Sequence, residues 1–143
     1  MVYPEISADA LSHAIHSKQV SCREVMHITL NQIAQHNPQS NALVSLADGD
    51  DLLRQADERD AQLARGESMG WMHGMPQAIK DVTHVAGFRT TLGSPLMSHV
   101  ATEDALMARR MRASGCIVIG RTNIPGGKPA SIEATAKFRG ISF

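Results

Sequence analysis

Aromatic side chains are scarce in this sequence: one Trp, one Tyr and three Phe, or 3% of 143 residues. So few rings leave little on which the bases of a single-stranded nucleic acid can stack. An excess of either charge is also lacking, since 14 Lys and Arg offset 14 Asp and Glu. Bulk electrostatics therefore draws in neither nucleic acid nor an anionic membrane surface. Two cysteines, Cys22 and Cys116, are too few for a disulfide framework and are expected as buried, reduced thiols in different elements. The opening stretch MVYPEISADALSHAI has neither the basic flank nor the continuous apolar run of a signal peptide. The longest aliphatic run, residues 116–119, is far too short to span a bilayer. These absences predict a cytoplasmic protein with no nucleic-acid or membrane partner.

Composition is otherwise that of an ordinary globular domain, with 43% hydrophobic and 20% charged residues. Periodicity predicts a first helix after the N-cap Ser7, with Leu11, Ala14 and Ile15 inward. A second helix begins at the capping-box pair Ser21 and Glu24; Val25, Ile28, Gln32 and Ile33 share a face, and HNP at residues 36–38 is expected to stop it. ALVSL, residues 42–46, has the pattern of a short strand. A third helix is expected from about Asp50, with Leu53, Ala56 and Ala64 inward, residues 57–60 solvated and Gly66 closing it. Residues 76–80 predict a buried strand, 87–95 a loop, and 103–114 a fourth helix with Glu103 and Asp104 in its first turn and Gly115 after its end. Met107 and Met111 are expected in the core on one face of that helix. CIVIG, four apolar residues without alternation before a glycine, predicts a central strand covered on both faces. The alternation of strands and helices implies an α/β layered architecture.

Several arrangements of polar residues carry no site. His13 and His16 lie three apart, but no third metal ligand is near in sequence. Asp48, Asp50 and Asp51 lack the rest of a twelve-residue calcium loop and better serve the start of the third helix. MGWMHGMP bears glycines without the Gly-Lys-Ser/Thr ending of a P-loop. Lys80 is different. It ends an apolar strand, next to Asp81 and ahead of the small-residue loop TTLGSP. On a strand Lys80 shares a face with Ala78, and Asp81 with Ile79, so Asp81 need not pair with Lys80. A lysine there is either a strand-end side chain reaching solvent or a buried amine kept for chemistry.

The segments HGMPQAIKD, TTLGSP and DALMARRMRASGCIVIGRTN, in that order, together with the paired-helix opening, resemble the amidase signature hydrolases. The resemblance covers residues 4–125. It implies the N-terminal part of the amidase signature fold, a mixed sheet flanked by helices, over residues 1–125. It further implies cleavage of a small-molecule carboxylic amide at its C–N bond by a Ser–cis-Ser–Lys triad, with no metal and no cofactor. Carried onto this chain, Lys80 is the catalytic base, and Thr91, Gly93 and Ser94 (after Thr90) support it. Such a base must be neutral, which burial favours, so Lys80 is expected buried with its amine toward residues 90–94. The family's Gly-Gly-Ser-Ser-Gly-Gly-type segment has no counterpart here, and Ser131 and Ser142 stand in the wrong context to replace it. A base without a nucleophile is not a triad. The chain is accordingly expected to be a truncated amidase, by frameshift, early stop or otherwise, with residues 126–143 a divergent, loosely docked tail. The alternative is a non-catalytic fragment retaining only packing or subunit contacts. Either way, apolar edge surface around residues 116–119 is expected to promote self-association.

Overall fold

The structure is a computed structural model that describes residues 6–94 and 96–124. The expected tail, residues 126–143, therefore lies outside the described residues. Helix α1 (Ala8–His16) starts where the Ser7 hydroxyl accepts the Ala10 N–H, and its inward residues Leu11, Ala14 and Ile15 are all buried. Helix α2 (Cys22–Ser40) opens with the complete Ser21/Glu24 capping box. A second carboxylate reinforces that start: Asp60 accepts from the N–H groups of Cys22 (2.8 Å) and Arg23 (3.1 Å). Asp60 and Arg59 are thus half-buried rather than solvated as their sequence position suggested. A carboxylate facing a helix N-terminus satisfies orphan N–H groups and the helix dipole together. Burial, followed by the nearby Asp60, pushes the Cys22 thiol up to about 12. Cys22 and Cys116 are both free and buried, as expected.

The HNP sequence does not end α2. Pro38 lies inside the helix, which runs on until Asn41 adopts a left-handed conformation (φ 48°). The added turn carries Asn37, whose side chain donates to the Leu43 carbonyl (3.0 Å) and accepts the Leu43 N–H (2.8 Å). Those bonds occupy a backbone pair on β1 (Leu43–Leu46), an edge strand that would otherwise leave it open.

Helix α3 (Gly49–Ala64) is capped by Asp48, which accepts the Asp51 N–H. Leu52 and Ala56 are buried and Leu53 and Leu63 pack at the margin, whereas Ala64, expected inward, is exposed. Strand β2 (Pro76–Lys80) follows, as expected. The segment expected as a plain loop contains a two-residue strand, β3 (Arg89–Thr90), paired antiparallel with β4 (His99–Val100). Helix α4 (Leu106–Ala113) starts later than the charge pattern implied. Asp104 stays outside it, accepts the Ala86 N–H at 2.7 Å and pairs with Arg112 at 3.2 Å, so its carboxylate braces the preceding loop instead of the helix dipole. Met107 is exposed at 48% and only Met111 packs at the core margin, because Ala108 occupies the buried stripe.

Strand β5 (Ile117–Thr122) is the centre of a mixed sheet ordered β1-β5-β2, antiparallel to β1 and parallel to β2. Residues 116–119 are between 1% and 6% exposed, which overturns the expectation of an exposed apolar edge there. Strands on both sides and the helical layer cover them. The register slips against both neighbours near Gly120. A Cβ at Gly120 would lie 2.4 Å from the Ser45 carbonyl oxygen, so only glycine permits this approach of β1. The core is made by Leu11, Ile15, Val25, Met26, Leu52, Ile79 and residues 116–119. The helices and mixed sheet agree with the predicted α/β class. Among the described residues, no helix is long and apolar enough to cross a membrane.

Candidate active site

Strand alternation divides the end of β2. Ile79 and Asp81 face inward and are 2% and 1% exposed. Lys80 takes the other face and is exposed, which overturns the expectation of a buried amine. Among the described residues the amine has no hydrogen-bond or ionic partner. The Lys80 backbone is held firmly: its carbonyl accepts the Thr83 N–H (3.0 Å) and an Nη2–H of Arg121 (3.1 Å).

The buried partner is Asp81. Its carboxylate accepts from Thr91 twice, from the backbone N–H (3.0 Å) and the hydroxyl (2.5 Å). Thr91 Oγ1 in turn accepts the Gly93 N–H at 3.3 Å, and Ser94 Oγ accepts the Leu96 N–H at 3.3 Å. Thr91 thus closes on the aspartate and Gly93 on Thr91, while Ser94 turns to the loop backbone. The structure brings the 91–94 loop to the end of the Lys80 strand through the neighbouring residue; it shows no contact between these three residues and the Lys80 amine.

Sequence reasoning missed Arg121. It follows the apolar run of β5 and is fully buried, with Nη2 3.5 Å from Asp81 Oδ1. Burial drives the guanidinium below its ordinary range, and the Asp81 charge opposes that shift. Arg121 Nε and Nη1, Asp81 Oδ1 and Thr90 Oγ1 are buried without a hydrogen-bond partner among the described residues. A signal was present in the sequence. An arginine directly after CIVIG on a strand flanked on both sides requires a buried counter-charge, and Asp81 is the acid at the end of the parallel neighbour.

The two helix histidines form no metal site among the described residues. His16 instead bonds the Ser12 carbonyl (2.8 Å) and the Ser68 hydroxyl (2.9 Å).

Comparison with known proteins matches the chain to one family. The family model described as Amidase matches residues 24–130. An acylamidase of Rhodococcus erythropolis is 34% identical over 121 residues, covering 84% of this chain and 25% of the relative. A glutamyl-tRNA(Gln) amidotransferase subunit of Bdellovibrio bacteriovorus is 33% identical over 118 residues, covering 82% of this chain and 24% of the relative. Among solved structures, the native peptide amidase of Stenotrophomonas maltophilia superposes with a TM-score of 0.79 at 28% identity, covering 87% of this chain and 26% of that one. The chain spans about a quarter of the length of the relatives it matches. On the family match and the shared fold, the chain belongs to the Amidase family, the amidase signature enzymes.

Proposed function

We propose that this chain supplies the lysine of a Ser–cis-Ser–Lys amide hydrolase, acting in the cytoplasm on a small carboxylic amide without metal or cofactor. Lys80 is the base that takes a proton from the intermediate serine, which activates the nucleophilic serine for attack on the amide carbonyl. Thr91, Gly93 and Ser94 support the base by holding the loop against the end of its strand. The observation that carries this reading is the split at the end of β2: Asp81 is buried and engaged by Thr91, leaving the Lys80 amine unpaired on the open face. A lysine base must be neutral, and a carboxylate paired with it would oppose that form; the exposure of Lys80, by contrast, counts against the assignment.

Among the described residues no serine is hydrogen-bonded to the Lys80 amine; Ser94 Oγ accepts the Leu96 N–H instead. Lysine alone gives no acyl-enzyme. The chain by itself is expected neither to turn over simple amides nor to label with a serine-directed fluorophosphonate. Stoichiometric serine labelling that disappears in Lys80→Ala would overturn this and make the chain an enzyme in its own right.

The exposure of Lys80 also favours a second reading, a non-catalytic unit retaining packing or subunit contacts. Its relatives include proteins named as one subunit of an amidotransferase. Acylation of Lys80 by an amine reagent separates the two readings in the presence of a polypeptide carrying the serine segment. Protection together with restored amide turnover supports the triad; association without turnover supports the contact role.

A further inference from the structure

An aspartate directly after a lysine base raises a physical difficulty. A carboxylate that close stabilises the ammonium form and so opposes the neutral amine that catalysis needs. Turning Asp81 to the opposite face lengthens the separation but leaves a carboxylate 1% exposed beside the base in sequence, and a buried charge needs a partner. Something else has to cancel the charge.

We propose that Arg121 is a positioning residue for the Lys80 base, neutralising Asp81 so that the carboxylate can anchor the Thr91 loop without holding Lys80 protonated. This rests on the assignment of Lys80 above. Arg121 and Asp81 are 0% and 1% exposed and 3.5 Å apart, and within ion-pair distance each has the other as its ionic partner among the described residues. The guanidinium also donates to the Lys80 carbonyl at 3.1 Å, so one side chain sets both the backbone of the base and the charge beside it. Asp81 keeps Oδ2 for Thr91 and turns Oδ1 toward Arg121, which divides its work between loop and ion pair. The parallel register of β2 and β5 brings Arg121 opposite Ile79, one step from Asp81 on the same inward face. Ser45, its register partner on β1, carries no charge.

The test needs no hydrolysis, so it stays informative if the chain proves inactive. Lys80 and Lys18 are the two lysines among the described residues, and both are exposed. The rate at which an acylating reagent modifies Lys80 relative to Lys18, read by peptide mass spectrometry near neutral pH, reports the neutral fraction of the Lys80 amine. In Asp81→Asn the guanidinium charge stands alone and cannot be lost, so the ratio should rise. In Arg121→Gln, while Asp81 stays ionised, it should fall. The size expected is about fivefold, the order of effect of one uncompensated unit charge on an amine that faces water. Asp81→Asn with Arg121→Gln restores neutrality and should return the parental ratio, which a purely structural lesion would not do. An unchanged ratio in folded Asp81→Asn overturns the proposal, as does a shift of the same sign in both single variants. If one single variant fails to fold, the other decides. If neither folds but the double variant does, the pair serves stability alone and the proposal fails.

Discussion

The sheet with its covering helices and the segment from residue 82 to residue 107 use the same apolar residue types to opposite effect. In the first, Met26, Leu52, Ile79 and Ile117 are between 0% and 2% exposed. In the second, Val85 and Ala101 are buried where the segment meets the core, but Val82, Met97, Val100, Leu106 and Met107 are between 48% and 58% exposed, and Leu96 reaches 93%. Strand β5 has a neighbour on either side and helices packed over it, whereas the ribbon of β3 and β4 has two residues per strand and no layer on its outer face among the described residues. An apolar residue is buried only where a second layer exists to bury it. The candidate site lies at the junction. Asp81 and Arg121 belong to the packed side, and Lys80 emerges on the open one.

The sharpest way to break this contrast is a truncation in each region. Leu52→Ala should cost about 2–5 kcal/mol in urea denaturation, because a fully buried side chain leaves a cavity. A cost below about 1 kcal/mol there would show that the core is looser than its burial implies. Gly120→Ala should cost about 1–3 kcal/mol by forcing a methyl group against the Ser45 carbonyl, and hydrogen exchange should quicken along β1 before it does along β2. Asn37→Ala removes both side-chain bonds to Leu43 and should cost about 1–2 kcal/mol, with the loss of protection confined to β1.

A pH titration probes the packed side more gently. His73 is fully buried, accepting the Met69 N–H at Nδ1 (3.0 Å) and donating from Nε2 to the Arg59 carbonyl (2.9 Å). Burial holds it below its ordinary value of 6.5. A histidine depressed in the folded state contributes full stability above the unfolded value and loses it as pH falls below that value. The denaturation midpoint should therefore be level above pH 6.5 and decline below it, and His73→Gln should flatten that slope. At the small end, Leu96→Ser should change stability by no more than about 0.5 kcal/mol, since its side chain is already in water. A large loss there would mean the open segment is covered after all.

Much of this fold was legible locally. Ser7, Ser21 with Glu24, and Asp48 cap helices through groups within three residues of themselves, so a short window contains the whole cause. The central place of β5 was legible for a similar reason, because an unalternating apolar run can be stable only when both faces are covered. The failures have a shared origin in distant partners. Pro38 was expected to end α2, yet the helix continues to a turn that places Asn37 on Leu43. Asp60 was assigned to solvent until the fold placed it at the start of α2. Met107 has helical spacing suited to a core, but α4 presents Ala108 to the interior instead.

At the candidate site the division is the same. The sequence by itself determined that Lys80 ends a strand, that Asp81 faces the opposite way, and that a threonine- and glycine-bearing loop follows, because strand alternation and turn chemistry are local. Only the tertiary structure decided that Lys80 is exposed, that Thr91 closes on Asp81, and that Arg121 lies buried 3.5 Å from that carboxylate. Burial and charge pairing depend on which strands become neighbours, and the parallel pairing of β2 with β5 joins segments separated by a helix and a ribbon.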